Sequence, residues 1–430
     1  MNLGAEKQQG FFTRNVLVLT ISRSLGFFAR NSVFPYASLY VLLLGGTSAD
    51  VGFINALRPL AFIVIIPVAG FLADQQGRVK IIAVATYLSA LTYLFFITAT
   101  HWSMLAIGNF IAGLIVFHFP AQSAVMADSL PSQRRGLGFA IYSAIPGAVA
   151  VIAPFFGGFL IDQLGTDTAV RYLYTILLLA YVASATIQLK FLRETVQERT
   201  NSIQVAQLKT LLVQAYRSAF ETMKWMPTSL RVLAVIIALS FTANAMAGPF
   251  WVVYGTEVIG FTASEWGLLI LFHSMIRIAL TIPAGWIVDR VGKRRTLIGA
   301  FILTLPPVLF FTQTQGFMDV LLLLIVLATA NAFLVPACSS LLTDNIPRDL
   351  RGRVMGALGR GVLMINPVPG GTGGPSIGYI FAVPVILGLV IGGYVYNYST
   401  AALWLIQCAF LIASLSLSIL FLREPQQAET

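Results

Sequence analysis

Acidic residues are scarce in this 430-residue chain, which has 17 Asp and Glu against 27 Lys and Arg. Charged residues of both signs make up only 10% of the sequence, whereas hydrophobic residues make up 57%. A water-soluble protein of this length needs far more polar surface, so the composition excludes a soluble globular protein. We expect an all-α membrane protein that lies in a lipid bilayer.

Cysteines and catalytic motifs are also nearly absent. The only two cysteines, Cys338 and Cys408, both fall inside apolar runs, so no disulfide framework or zinc site is expected. The sequence has no CxxC, HExxH, GxSxG or Walker A pattern and no paired acids at catalytic spacing. It therefore predicts no enzyme, metal site, cofactor or ATP-driven pump, and leaves gradient-driven transport or a non-transport role in the membrane.

What the chain does have is long apolar runs, each near the 20 residues or so that a membrane-spanning helix needs. Glycine and proline interrupt many of them, the eleventh most of all. The twelve predicted spans are 15–43, 50–72, 80–100, 103–127, 137–161, 171–192, 229–255, 264–288, 296–314, 317–342, 354–396 and 400–422.

Lys and Arg collect in the turns after even-numbered spans and in the two termini, and only Arg171 falls in a turn on the other side. Because cytoplasmic loops are enriched in cations, both termini are predicted to be cytoplasmic in a protein of the cell (inner) membrane. The net charge of +10 then reflects topology. It gives no reason to expect nucleic acid as a partner.

A polar turn occurs twice: residues 70–78 (GFLADQQGR) return as 285–293 (GWIVDRVGK), 215 positions later. Asp128 and Arg135 likewise return as Asp344 and Arg351, 216 positions later. This period predicts a duplication, with one bundle in 1–192 and another in 229–430. Residues 193–228 have apolar side chains at helical spacing and are predicted to form a cytoplasmic amphipathic linker, with a regulatory or partner-binding helix as the alternative.

The repeated turn resembles the loop between helices 2 and 3 of the major facilitator superfamily of secondary transporters, which reads roughly G-x-L-a-D-r-x-G-r-k. The resemblance implies twelve transmembrane helices in two six-helix bundles related by pseudo-two-fold symmetry, and alternating access to a central substrate cavity. It also implies a conformational latch that holds the bundles together when the cavity faces outward. The latch residues would be Gly70, Asp74, Gly77, Arg78 and Asp128, with Gly285, Asp289, Gly292, Lys293 and Asp344 as a weaker counterpart. Arg78 is expected to pair with Asp128, although the cations of both loops are also explained by the positive-inside rule alone.

The fifth span carries Gly147, Pro154 and Gly157-Gly158 in an arrangement similar to the G-P-x-x-G-G motif of exporters in this superfamily, with Ala153 in place of one glycine. The motif favours export. The arginine that drug/proton exporters place early in helix 4 is Asn109 here, which argues against proton-coupled drug efflux.

Arginines, but no acids, remain inside the predicted spans. They are Arg23, Arg30, Arg58, Arg277 and Arg360. A buried arginine costs at least about 2.5 kcal/mol, so an anionic ligand is an economical partner. Arg58 and Arg277 lie in equivalent helices and are expected to face one another across the cavity. Arg30 is a further candidate for substrate binding, and snorkelling is the alternative for Arg23 and Arg30.

Six other residues are predicted to line the cavity, with core packing as the alternative: Tyr36, His118, Asn244, Tyr254, His273 and Asn331. The two histidines are candidates to carry a coupling proton, because no carboxylate lies at that depth; a hydrogen-bonded structural role is the alternative.

The repeat breaks once, where 19 extra residues lie between Arg351 and Gly392 and include the stretch 366–375, rich in glycine and proline. A crossing of about 20 residues that ends at Tyr396 begins near Ile377. We therefore expect residues 352–365 to form an interfacial or re-entrant helix that leaves Arg360 unburied. The glycine-rich stretch is either an inserted loop, a flexible gate or a cradle of backbone N–H groups for an anion.

These observations predict a monomeric secondary transporter of a small or amphiphilic organic anion, with export favoured and a proton as the candidate coupling ion. Efflux of neutral or cationic lipophiles is the second hypothesis, in which the arginines are structural. A transporter-like sensor or a lipid scramblase is the alternative from another class.

Overall fold

The computed structural model describes residues 13–75, 77–131, 135–195, 217, 221, 224, 226–347, 350–367 and 378–424, with the backbone alone at 66–75, 352 and 353. Nearly all of the predicted linker 193–228 lies outside these residues, so its amphipathic helix stays a prediction, as do the domain boundaries.

The described residues contain twelve helical spans, as the apolar runs predict. The first, α1, is assembled from the helix Arg14–Val33, a 3₁₀ turn Phe34–Tyr36 and the helix Ala37–Leu43. The others are α2 Ser48–Gln75, α3 Arg78–Ile97, α4 Trp102–Asp128, α5 Arg135–Leu164, α6 Thr166–Phe191, α7 Thr228–Val258, α8 Ala263–Val291, α9 Lys293–Gln313, α10 Phe317–Asp344, α11 Tyr379–Tyr398 and α12 Thr400–Leu420.

The helices pack as two bundles that repeat one plan. In the first, α6 packs against α1 and α3, and α2 packs against α4; in the second, α12 packs against α7 and α9, and α8 packs against α10. The bundles meet along α5 and α8 and along α2 and α11. This is the twelve-helix, two-bundle architecture that the duplication predicts.

One end of the molecule joins the two bundles tightly. We call it the Asp162 end, and the opposite end, where α2 leads into α3, the Arg78 end. The Asp162 carboxylate accepts hydrogen bonds from the backbone N–H groups of Ala263 (3.0 Å) and Ser264 (2.9 Å) at the start of α8. The Tyr36 hydroxyl lies 2.6 Å from the Pro154 carbonyl oxygen and 3.0 Å from that of Ala263. Since a carboxylate at a helix N-terminus meets free N–H groups and a favourable dipole, Asp162 fixes α8 against α5.

Before α11 the chain departs from regular helix. A short helix, Arg351–Leu358, is followed by non-helical residues from Gly359 to Pro367. The prediction of one helix over 352–365 is therefore wrong beyond Leu358. Gly359 and Gly361 have φ of 74° and 65°, values in the left-handed region that end a helix. Arg360 is exposed, as expected, and α11 begins at Tyr379, two residues after the predicted start.

Candidate functional site

Three arginines of the first bundle surround aromatic rings near the middle of the membrane. The Arg30 and Arg58 guanidinium carbons lie 4.6 and 5.8 Å from the centroid of the same ring, that of Phe34. The two cations are therefore at most about 10 Å apart, close enough to interact through a low-dielectric interior. Arg23 lies 4.6 Å from the Tyr142 ring and 5.5 Å from the Phe27 ring. We call Arg23, Arg30, Arg58 and these three rings the cation cluster.

The cluster lies on one side of α1, with Arg23 about 10 Å closer to the Arg78 end than Arg30. Arg23 and Arg30 are two turns apart on the same face of α1. Arg58 lies ten residues into α2, about 15 Å from the Asp162 end at 1.5 Å per residue. All three side chains are half-buried. The structure thus brings Arg58 beside Arg30, a neighbour that depth counting along single helices does not reveal.

Arg277 belongs to the other bundle. It lies at the centre of α8, 14 residues from each end, and its side chain is half-buried. Its guanidinium makes no hydrogen bond or ion pair with any residue in the described ranges. Its arrangement opposite Arg58 across a cavity stays a prediction.

The carboxylates of the described spans lie near the membrane surfaces rather than at the depth of these arginines. Every Asp and Glu within the twelve described spans lies in the first or last three residues of its span. The positive charge at mid-membrane is therefore balanced by aromatic rings rather than by acids. Such rings attract a cation through their electron-rich faces.

Three of the predicted cavity residues are instead part of the packed core. Tyr36 is completely buried, and its hydroxyl joins the bundles at the Asp162 end. The Tyr254 hydroxyl donates to the carbonyl oxygen of Thr312 at 3.0 Å, inside a cluster of rings from the second bundle. The buried His118 ring donates from Nδ1 to the carbonyl oxygen of Ile115 at 3.0 Å, because a carbonyl can only accept.

Asn244, Asn331 and His273 hold the non-helical segment before α11. The Asn331 amide, 1% exposed, donates to the carbonyl oxygen of Ile365 at 2.7 Å and accepts from the N–H of Ile365 at 3.0 Å. The Asn244 side-chain oxygen accepts from the N–H of Asn366 at 2.7 Å. His273 Nε2 lies 3.5 Å from Asn331 Nδ2, at the limit of a hydrogen bond. Both asparagines lie near the middle of their spans, so residues 361–367 reach the middle of the membrane.

The residues of the predicted latch lie at the Arg78 end. Arg78 forms an ion pair with Asp128, and Lys293 forms the equivalent pair with Asp344. Asp289 is exposed, Gly285 has open space around its Cα, and Gly70 and the Asp74 backbone lie in the last turns of α2; the Asp74 side chain lies outside the described atoms. The pairs are present, and their part in a conformational latch stays a prediction.

A second, apolar feature lies on the opposite side of α1. A groove of about 430 Å³ runs between α1, α5 and α6. Its walls include Leu17, Ile21, Leu25, Ile145, Val149 and Ile176. Ile21 and Arg30 are nine residues, about two and a half turns, apart, so the groove and the cation cluster occupy opposite faces of α1.

The chain is similar to known transporters over nearly its whole length. A sequence model of the Major Facilitator Superfamily matches residues 19–366. The multidrug resistance protein MdtG of Klebsiella pneumoniae (strain 342) is 25% identical over 384 residues, which are 86% of this chain and 89% of that protein. A protein of Methanocaldococcus jannaschii described as an uncharacterized MFS-type transporter is 24% identical over 81% of this chain and 87% of that protein.

Solved structures agree with the fold. A bacterial homologue of the human lysosomal transporter Spinster, in an inward-facing and occupied conformation, has a TM-score of 0.70 at 15% identity, covering 96% of this chain and 98% of that one. The human organic anion transporter MFSD10 has a TM-score of 0.63 at 16% identity, covering 94% and 99%. Identities this low show a common fold alone.

Proposed function

The chain belongs to the major facilitator superfamily of membrane transporters, and we propose that it exports a small or amphiphilic organic anion across the cell membrane by alternating access. The observation that carries this proposal is the cation cluster: Arg30 and Arg58 share one aromatic ring at mid-membrane, far from any carboxylate in the described spans. Two neighbouring cations in a low-dielectric environment are costly unless an anion accompanies them.

The rings of the cluster favour an amphiphilic anion over an inorganic one. A carboxylate or sulfonate oxygen accepts from the guanidinium N–H groups of Arg30 or Arg58, and Phe34 offers an apolar face to the rest of the molecule. Export is proposed from the resemblance of the fifth span to the exporter motif, whose glycines Gly157 and Gly158 pack closely against Ser32 and Ala263.

The proposed orientation places the Arg78 end in the cytoplasm, in agreement with its cations, in the inner membrane of the cell. With the bundles joined at the Asp162 end, the cation cluster is then approached from the cytoplasmic side. Substrate binding precedes separation of the bundles at the Asp162 end, with a proton as the coupling ion proposed for the return step. The Arg78 and Lys293 ion pairs are proposed to serve as the latch of the outward-facing state.

The proposal is tested by binding of naphthalene-2-sulfonate to the purified protein in lipid nanodiscs. The neutral naphthalene-2-sulfonamide is its matched control, since the two differ mainly in charge. We expect only the sulfonate to bind, and Arg58→Gln to weaken its binding about 10- to 100-fold, as expected for loss of a charge-assisted hydrogen bond. Arg217→Gln, at an exposed position, controls for a simple loss of net charge.

Equal binding of sulfonate and sulfonamide, with Arg58→Gln unchanged, would overturn the anion proposal. If the variant alone loses export from proteoliposomes while binding persists, the arginine acts in the transport step rather than in recognition.

Efflux of neutral or cationic lipophiles is the second candidate function, favoured by the apolar groove and by the MdtG relatives. A groove of this volume fits a drug-sized ligand. On this hypothesis tetraphenylphosphonium binds, Val149→Trp blocks its binding by filling the groove, and Arg58→Gln does not affect it. The opposite pattern favours the organic anion.

A further inference from the structure

We infer that the main chain of residues 361–367, which we call the re-entrant segment, forms the second half of an anion site whose cation is Arg277. This inference rests on the proposed function, because it assigns the part of the substrate site that lies in the second bundle. The site would take a carboxylate or sulfonate group.

The segment is non-helical and has a buried and an accessible side. Gly361, Leu363, Ile365 and Pro367 are buried, whereas Val362, Met364 and Asn366 between them are half-buried. It begins with a tight turn, in which the N–H of Leu363 donates to the Gly361 carbonyl oxygen at 3.0 Å. The segment advances from Ser339, which donates to the Gly361 carbonyl oxygen at 3.2 Å, to Asn331, which holds Ile365. Those eight residues of α10 span about 12 Å, so the segment advances along α10 toward the middle of the membrane.

The main-chain groups of the segment differ in whether they are paired. Gly361 and Ile365 bond to α10 through Ser339 and Asn331. The N–H of Asn366 donates to Asn244 of α7, and that of Leu363 is used within the segment. The N–H groups of Val362 and Met364 have no hydrogen-bond partner among the described residues. In a membrane protein such free backbone groups are tolerated where they line a water-filled cavity.

Arg277 lies at about the depth of the Met364 N–H group. His273, one turn before Arg277 on α8, is next to Asn331 and therefore level with Ile365. Arg277 lies about 6 Å further toward the Arg78 end, and Met364 precedes Ile365 in the same direction. A half-buried guanidinium without a protein partner and an unpaired N–H thus occur at about the same level of the second bundle.

Together these groups suit an oxyanion. The guanidinium supplies charge and directional N–H donors, and the Met364 N–H supplies a further donor that only a substitution by proline removes. The buried amides of Asn244 and Asn331 keep that donor in place from α7 and α10. This assigns a binding role to part of the stretch between Arg351 and Gly392, which is 19 residues longer than its counterpart in the first bundle.

The first test compares Met364→Pro with Met364→Ala, because proline removes the N–H group whereas alanine removes only the side chain. We expect the proline variant to bind naphthalene-2-sulfonate at least about 10-fold more weakly than the alanine variant. The maleimide reactivity of Cys338, which is fully buried beside Ser339, shows whether the segment still occupies its position. Equal affinities of the two variants with Cys338 protected would overturn the inference.

The second test does not depend on tolerance of proline. Val362→Cys and Met364→Cys are made separately after Cys338→Ser and Cys408→Ser, and maleimide labelling is timed with and without saturating sulfonate. We expect sulfonate to slow labelling at both positions at least about 5-fold, and sulfonamide to have no effect. If the sulfonate binds and Arg58 is required for it, yet labelling is unchanged, this inference fails and the proposed function stands. If the wild-type protein does not bind the sulfonate, both fail.

Discussion

The two bundles are alike at the Arg78 end and different in the middle of the membrane. At that end Gly77 and Gly292, with φ of 76° and 101°, precede α3 and α9, and an ion pair follows in each copy. The Glu194 carboxylate accepts from the N–H of Val79, and Glu424 from that of Arg294. A duplicated chain has therefore kept its helix-capping and ionic contacts in both copies.

The middle of the second bundle has changed. In the first bundle a short turn at residues 150–152 separates the two helices of α5, Arg135–Val149 and Ala153–Leu164. The second bundle has instead a short helix, the longer re-entrant segment and α11. At offsets of 215, Asn244 and Asn331 correspond to Ala29 and Val116. The amides that hold the segment thus occur only in the bundle that contains it. The two bundles therefore share their helix-capping and ionic contacts at the Arg78 end, and they differ in their buried polar groups at mid-membrane.

The largest expected effect comes from breaking this difference with Asn331→Ala. The substitution leaves the N–H and C=O of Ile365 without partners in the core, and each unsatisfied group costs about 1–3 kcal/mol. We expect the re-entrant segment to lose about 2–5 kcal/mol of local stability. Cys338 should then react with maleimide at least about 30-fold faster, measured on its own peptide by mass spectrometry.

Asn244→Ala is the matched control for that experiment, since Asn244 makes only one hydrogen bond to the segment. It should accelerate Cys338 labelling less than Asn331→Ala does. Cys408, buried in α12 away from the segment, should keep its wild-type rate in both variants. Unchanged reactivity of Cys338 in Asn331→Ala would show that the amide is not what holds the segment.

Much of this architecture could be predicted from the sequence, because apolar length and a repeated turn report on membrane crossing and duplication. Twelve spans followed from these two features, and α11 begins within two residues of expectation. The non-helical course of residues 361–367 did not follow, because it depends on Gly359 and Gly361 at positive φ and on amides supplied by α7 and α10. Such long-range partners leave no local periodicity.

The candidate site could be predicted only in part from the sequence, again because long-range contacts leave no local pattern. The absence of acids from the spans identified Arg30 and Arg58 as residues that need a partner. Counting residues along a helix gives depth but not direction, so the shared contact with Phe34 was not foreseen. Tyr36 was expected in the cavity because it is polar and central; its hydroxyl instead joins α5 and α8.

An intermediate effect on closure of the Asp162 end is expected from two glycines, one in each bundle, that pack closely against the backbone of the other bundle. A Cβ atom at Gly158 would lie 2.2 Å from the Ala263 carbonyl oxygen, and one at Gly393 would lie 2.7 Å from that of Ser48. Gly158→Ala and Gly393→Ala should each disfavour closure of the Asp162 end by about 1–3 kcal/mol. We expect longer distances between spin labels at Thr100 and Gln315, measured by electron paramagnetic resonance in a cysteine-free background.

Gly147→Ala is the control for both glycine variants, because nothing lies within 4 Å of a Cβ atom at that position of α5. It should leave the distance distribution unchanged. If only one of the two variants lengthens the distance, the bundles do not contribute equally to closure, and the symmetry of the Asp162 end is lower than its contacts indicate.

The smallest effect on stability is expected from the two ion pairs, which test how closely the two bundles resemble each other at the Arg78 end. Arg78 and Lys293 are partly exposed, and pairs of this kind are worth about 0–1 kcal/mol each. Arg78 also donates to the Thr195 hydroxyl at 3.2 Å, so Arg78→Gln should lower the melting temperature slightly more than Lys293→Gln. Raising NaCl should shrink both differences, since salt screens partly exposed charges. If one variant alone lost more than about 3 kcal/mol of unfolding free energy, the two ion pairs would contribute differently to stability although the loops are alike in sequence and geometry. A loss of that size is expected only if the remaining Asp128 or Asp344 carboxylate is buried without a partner.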